Sequence, residues 1–243
     1  MNNSIDSLNE DIGFVLVHGA GFDVWIWENV APLIEAPTLS ASFPARKADQ
    51  SARDSLRLVG YTGAILEQVD EWDVRRVVLV GHSVGGTVCV ELADCLSERV
   101  VGLVGVCAGI PAPGQSFLSS FPLHQRIVQK FILRFSGTRP PESVIRLSLC
   151  AELSDTQTDY IVSEFIPESR HLFTDAVKGE IPEIPTRYIR TRSDKSISAN
   201  QQDKIVDAMG ADDVVTLDTG HLPMLSSPAE LASALTDFAD QIR

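Results

Sequence analysis

Six short runs of apolar residues, rich in Val and Ile, punctuate this chain, and between most of them apolar positions return at a helical spacing. The first run is Ile12-Gly13-Phe14-Val15-Leu16-Val17, and it leads into the loop His18-Gly19-Ala20-Gly21. A weaker run spans 38–43 and stops at Pro44. Further runs lie at 76–80, 100–107, 186–190 and 214–217. Each is short, continuous and bounded by turn residues, the signature of a strand buried on both faces. Between them, 24–33 predicts a short helix with two tryptophans, and 51–72 predicts one on Leu56, Val59, Leu66 and Val69. Residues 86–93 and 198–209 also read as helices, the latter stopped by Gly210. Ser227-Pro228-Ala229-Glu230 reads as a capping box with proline at the first helical position, opening a helix that runs to the end of the chain.

Alternating strand and helix predict an α/β fold, a parallel sheet with helices on both faces. Six strands are expected in the spatial order 2-1-3-4-5-6. The order then reverses between strands 1 and 3, and ligands bind above the carboxyl ends at such a switch point. The rhythm breaks between strands 4 and 5. Residues 109–184 carry Pro111, Pro113, Pro122, Pro140, Pro141, Pro167 and Pro182, with helical patterns at 123–135, 141–152 and 155–165. The expected organisation is one domain over 1–243, with its core at 12–108 and 185–243 and a helical cap inserted at 109–184. Six of the ten phenylalanines fall in that insertion: Phe117, Phe121, Phe131, Phe135, Phe165 and Phe173. Most are expected to pack the cap onto the body, and the rest to line an apolar pocket. Arg126, Arg134, Arg139 and Arg146 are expected on the solvated outer face.

Composition narrows the partners. The 243 residues hold 33 acidic and 20 basic side chains, a net charge of −13. Such a chain has no electrostatic reason to bind nucleic acid or an anionic membrane. Cys89, Cys95, Cys107 and Cys150 form no Cys-x-x-Cys pair and no metal-ligand spacing, so they read as reduced thiols packed as small apolar residues. Residues 1–11 are polar and acidic, unlike a secretory signal, and no run reaches the length of a membrane span. A cytoplasmic enzyme acting on a small molecule is the expectation. No metal or organic cofactor is implied, and the sequence leaves the oligomeric state open.

The candidate chemistry starts at Gly81-His82-Ser83-Val84-Gly85, between a predicted strand and a predicted helix. A Gly-x-Ser-x-Gly in that context resembles the nucleophile elbow of the α/β-hydrolases. A serine hydroxyl needs a base, and in that fold the chain order is serine, acid, histidine. His221, in Gly220-His221-Leu222-Pro223 between the last strand and last helix, is the candidate base. His18 and His82 sit in loops, and His124 and His171 in the insertion. Asp194, just past the fifth strand, is the candidate acid. Asp175, Asp203 and Asp218 are its rivals, Asp218 reading as a partner of its own loop backbone. An oxyanion hole is expected from the amides of Val84 and Ala20. His18 reads as a brace for the Ala20 loop.

The stretch Phe14-Val15-Leu16-Val17-His18-Gly19-Ala20 with Trp25 and Trp27, the elbow with Gly86, and Arg192-Ser193-Asp194-Lys195 with Gly220-His221-Leu222-Pro223-Met224-Leu225 resemble the plant methylesterase and hydroxynitrile lyase group and its bacterial esterase relatives. The resemblance covers about two thirds of the chain. It implies a triad of Ser83, Asp194 and His221, with Ala20 and Val84 at the oxyanion hole. Two departures stand out. Phe22-Asp23 replaces a His-Gly pair of the family loop. Leu222 follows His221 where the lyases carry a lysine, and Gly19-Ala20-Gly21 lacks their threonine. The charge that stabilises cyanide is therefore missing, which favours hydrolysis of a carboxylic ester through an acyl-enzyme. Thioester or lactone hydrolysis, acyl transfer or cyclisation in biosynthesis, and a non-catalytic small-molecule receptor remain as alternatives.

Overall fold

The computed structural model describes residues 12–135 and 137–243. The expectations for residues 1–11 lie outside them. Six strands form one parallel sheet, as the alternation predicts, in the order β2-β1-β3-β4-β5-β6 that the resemblance to the hydrolases implies. They are β1 (Ile12–Val17), β2 (Thr38–Ala41), β3 (Arg76–His82), β4 (Val100–Val106), β5 (Thr186–Thr191) and β6 (Asp213–Leu217). Val17 of β1 lies opposite both Ala41 of β2 and Gly81 of β3.

Continuous apolar runs are what a sheet covered on both faces demands. Val15, Val17, Val77 and Leu79 point into one core, and Phe14, Leu16, Val78 and Val80 into the other. Each such side chain, removed from water, contributes roughly 1.5–3 kcal/mol. The first core is closed by α2 (Leu58–Asp70) and α3 (Gly85–Leu96), and receives Ile205 from α8 (Ala199–Met209). The second is closed by α10 (Pro228–Gln241), through Leu231, Leu235 and Phe238.

Local detail departs from expectation where short-range chemistry competes. The segment 51–72 is two helices, α1 (Gln50–Asp54) and α2, broken at 55–57. The helix expected over 24–33 is two 3₁₀ turns, Val24–Trp27 and Ala31–Leu33, the first capped by Asp23. The capping box at Ser227 does not form. Ser227 also closes the preceding turn α9 (Pro223–Ser226), where its N–H donates to Pro223 O, so the donor that Glu230 would satisfy is already taken.

Between β4 and β5 the chain builds α4 (Leu123–Phe135), a turn α5 (Glu142–Val144) continuing as a π-helix Ile145–Leu149, then α6 (Asp155–Glu164) and α7 (His171–Thr174). A 3₁₀ turn, Phe117–Ser120, precedes them. Gly21 pairs with Ile166 in an antiparallel bridge, which joins this segment to the loop after β1. Among the described residues no helix is long and apolar enough to cross a membrane.

Candidate active site

The chain turns sharply from β3 into α3, and Ser83 sits in the turn with φ of 54°. That left-handed conformation is unfavourable for a residue with a side chain. Its backbone is held from three sides. Its N–H donates to Val106 O at 3.1 Å, and its carbonyl accepts from Gly86 at 3.2 Å and Gly109 at 3.0 Å. The flanking glycines follow from space. A Cβ on Gly81 would lie 2.5 Å from Gly86 Cα, and one on Gly85 would lie 2.6 Å from the carbonyl oxygens of Val17 and His18. The turn therefore puts Ser83 at the carboxyl end of β3, in the sheet's switch point and at the positive end of α3.

His221 follows β6, and Asp194 follows β5. Their side chains meet, with His221 Nδ1 2.8 Å from Asp194 Oδ2. The other carboxylate oxygen accepts from the backbone N–H of Ser196 at 2.7 Å and of Ile197 at 2.9 Å. Burial works to raise the Asp194 pKa, but the charge of His221, its hydrogen bond and the two backbone donors outweigh it and hold the acid below the ordinary carboxylate value. Gln202, fully buried, braces this loop by bonding the N–H and carbonyl of Thr191 and the carbonyl of Ile197. On the other side, Glu152 accepts from Gly220 N–H and His82 Nε2 donates to His221 O at 2.9 Å.

The rivals of Asp194 are elsewhere. Asp218 is exposed, 3.9 Å from Arg192, and does not serve its own loop as expected. Asp203 pairs with Arg190, and Asp175 with Arg57 and His171. His18 is fully buried. Its Nε2 accepts from Phe43 N–H at 3.4 Å and its Nδ1 donates to Gly19 O at 2.8 Å. Burial, aided by the Arg46 charge, lowers its pKa to about 4. A neutral ring held by both nitrogens is a brace. His82, Cys107 and His221 also bring candidate metal-ligating atoms within 4.8 Å of one another. One ring nitrogen of each histidine is engaged in the frame above, His221 Nδ1 on Asp194 and His82 Nε2 on the His221 carbonyl, and Cys107 Sγ lies 3.5 Å from that same carbonyl.

Ser83, His221 and Ala20 line one cavity of about 250 Å³. Phe117, Phe121, Phe165 and Phe173 line it too, and the same four pack into or against the two cores, so holding the insertion to the body and walling the pocket fall to the same side chains. Phe131 does the opposite and lies 65% exposed. Phe22, one of the departures from the family loop, is another wall. Leu222 is buried among apolar residues away from the cavity, so the lyases' lysine position brings no charge to the site. Arg126, Arg134, Arg139 and Arg146 stay out of the cavity lining. They are not simply solvated, however. Arg126 donates to the carbonyls of Phe121 and Ser119, Arg139 to those of Phe165 and Val162, and Arg146 bridges Glu142 and Asp159.

Sequence reasoning missed the group that fastens the insertion down. Glu168 is buried, and both of its carboxylate oxygens accept from Arg46, at 2.6 and 2.5 Å. Tyr61 OH donates to it at 3.1 Å and accepts from Ser169 N–H at 2.9 Å. Burial pushes the Glu168 pKa up, while Arg46 opposes that shift. These residues are far apart in sequence and carry no local motif.

Comparison with known proteins agrees with this architecture. The model of the alpha/beta hydrolase family matches residues 14–234. Norfluorocurarine synthase 2 of Strychnos is 25% identical over 94% of this chain and 96% of its own. Polyneuridine aldehyde esterase of Rauvolfia serpentina is 27% identical over 93% and 95%. Among solved structures, an extracellular alpha/beta-hydrolase from a Paenibacillus species superposes with a TM-score of 0.81 at 18% identity, over 93% of this chain and 98% of its own.

Proposed function

Since the chain belongs to the alpha/beta hydrolase family, we propose that it is a serine hydrolase cleaving a carboxylic ester of a small, largely apolar substrate. Ser83 is the nucleophile, His221 the general base and Asp194 the acid that orients it. The observation that carries this reading is the conjunction of a strained Ser83 and the Asp194–His221 pair at one apolar cavity. His221 Nε2 takes the Ser83 proton as Oγ attacks the ester carbon. The tetrahedral oxyanion is held by the amides of Val84 and Ala20. The alcohol then leaves with the proton from His221. Water, activated by the same imidazole, attacks the acyl-enzyme and releases the acid. Asp194 keeps the imidazole in the tautomer with its proton on Nδ1 and stabilises the imidazolium. Residues 109–184 serve as a cap over a core of 12–108 and 185–243. The esterase named among the relatives supports ester cleavage.

A second reading uses the same triad for a biosynthetic acyl transfer or cyclisation, and the relative named as a synthase favours it. A fluorophosphonate probe tests the shared part. One adduct on Ser83 is expected, and labelling elsewhere or none overturns the assignment. A panel of matched esters, thioesters and lactones then separates the readings. A cytoplasmic setting fits four unpaired cysteines, although Cys95 is exposed rather than packed.

A further inference from the structure

Helix α4 is turned inside out. Leu123, Ile127 and Phe131, at a spacing of four, are all exposed. The stripe that meets the body, at the same spacing, is Gln125, Gln129 and Leu133. Gln125 has its partner there, since its Oε1 accepts from Gln201 Nε2 of α8 at 3.0 Å. One turn later, Gln129 lines the same cavity as Ser83 and His221. Its Oε1 is buried and has no hydrogen-bond donor among the described residues.

The other polar side chains of that lining, outside Ser83 and His221, are differently placed. Ser148 Oγ donates to Val144 O, and Thr138 Oγ1 donates to Glu168 O. Ser196 carries a hydroxyl, which rotates to give or to take a bond and so sets no preference by itself. Gln129 differs because a buried amide oxygen accepts and cannot donate. Native proteins pair nearly all such atoms, so a bare one in an apolar wall marks a place for a donor. The lining holds no Asp or Glu to balance a cation, and an ammonium group would be buried unpaired. The donor that fits is neutral.

We propose that Gln129 is a specificity-determining residue whose Oε1 accepts from a hydroxyl or N–H of an otherwise apolar ester. The proposal rests on the serine hydrolase reading of Ser83, Asp194 and His221. The phenylalanine walls bind the apolar body of any ester that fits. The amide oxygen discriminates, because an analogue without the donor leaves it buried and unpaired.

Two sets of esters test this on the full chain. One is methyl phenylacetate with a hydroxyl at ring position 2, 3 or 4, which puts the donor on the acyl side. The other is phenethyl acetate with the same three hydroxyls, which puts it on the alcohol side. Each is paired with its unsubstituted parent and its methoxy counterpart. In the wild type, at least one hydroxylated ester should exceed its parent in kcat/KM by about tenfold or more, and its methoxy counterpart should not. Gln129→Met, similar in length but without the acceptor, should bring that ratio to one or below. Gln129→Glu keeps an acceptor in place and should hold the ratio above one. A wild type with no preference for any hydroxylated ester overturns the proposal, and so does a ratio that survives Gln129→Met. A preference for the methoxy esters overturns it too, because the amide would then present Nε2. Turnover of the parent esters and fluorophosphonate labelling of Ser83 test the hydrolase reading separately. If that reading fails, titrating the same esters onto Ser83→Ala, with and without Gln129→Met, still decides the role of Gln129. An affinity ratio unmoved by Gln129→Met there rejects it.

Discussion

The floor and the roof of the cavity are built by different physics. The floor, formed by the strand ends and the loops after β1, β3, β5 and β6, is fixed by its own backbone and by short-range braces to it, such as Gln202 on Thr191 and His82 on the His221 carbonyl. Ser83 is held by three main-chain hydrogen bonds, and Asp194 by two backbone donors besides His221. The segment proposed as the roof, residues 109–184, is fastened by long polar side chains reaching across from other parts of the chain. Arg46 grips Glu168, Arg53 donates to Pro167 O at 3.1 Å, and Tyr61 OH donates to Glu168 at 3.1 Å. Backbone geometry leaves little room for adjustment, whereas side-chain fasteners can be exchanged one at a time. In the proposed function, chemistry is thus placed on the rigid part, and the walls that meet the substrate on the adjustable part.

The sharpest way to break that contrast is to remove the proposed nucleophile. Ser83→Ala should lower kcat/KM for a short-chain aryl ester by about 10⁴- to 10⁶-fold while the melting temperature stays near that of the wild type. A variant retaining a tenth of the activity would show that the floor does not hold the nucleophile. Next in size is the proposed acid. Asp194→Asn should cost about 10⁴-fold in kcat, because the amide no longer selects the tautomer that lets Nε2 accept the serine proton. Asp218→Asn, at the exposed rival, should leave kcat within the scatter of the assay, and a large loss there would reassign the acid.

The same contrast explains what could be read in advance. The floor is written in local patterns: a β-branched run, then Gly-x-Ser-x-Gly; a strand, then Asp194; a strand, then Gly220-His221. Each is a few residues long, and the parallel sheet follows from their alternation. The roof has no such grammar. The Arg46–Glu168 pair spans 122 positions, and nothing near either residue announces it. The apolar spacing of α4 predicted a helix but not which way it faces. Cores normally claim that stripe, and here it points outward. The capping box at Ser227 failed for a local reason of the same kind, since a preceding turn used the donor first.

Unfastening the roof should show in stability rather than in chemistry. Arg46→Met leaves the Glu168 carboxylate buried without its ionic partner, which costs about 3–5 kcal/mol of unfolding free energy. Denaturant titration checks the value. Pairing Arg46→Met with Glu168→Leu should recover a good part of it, because no charge is then stranded. Both proteins should still label at Ser83 with a fluorophosphonate, and KM for an apolar ester should rise more than kcat falls. Loss of labelling in the stable double variant would mean that the roof also positions the nucleophile.

Acid should weaken the floor itself, through His18. Its pKa is about 4 in the folded chain against 6.5 in the open one, so between these values the unfolded state binds the proton and the folded state does not. Stability is therefore complete above the higher value and is lost as pH falls toward the lower. The expected loss at pH 5 relative to pH 7 is about 2 kcal/mol. His82, lowered by burial and by His221, acts in the same direction. Asp194 is held below its ordinary value, so it keeps its charge through this window and adds its own loss only at lower pH. Chemical denaturation at the two pH values measures the sum, and His18→Gln should flatten it. An unchanged slope in that variant would remove His18 from the account.

The smallest effect probes the roof's walls. A cavity of about 250 Å³ walled by four phenylalanines of the insertion should reward apolar acyl groups one methylene at a time. Each methylene that fits contributes about 0.8 kcal/mol, close to fourfold in kcat/KM, until the chain reaches the far wall. Among the described residues no lysine or arginine lines the cavity, so a free carboxylate on the substrate would be buried without a partner. A neutral ester should therefore outrun the matching half-ester, and added salt should narrow the gap only by screening the net charge of −13. Comparing the two esters at low and high ionic strength separates the terms. A gap that salt erases would come from the surface field, and one that persists would come from the walls. A half-ester hydrolysed faster than its neutral partner would mean that the roof rearranges enough to bring Arg126 or Arg139 off the backbone carbonyls that hold them.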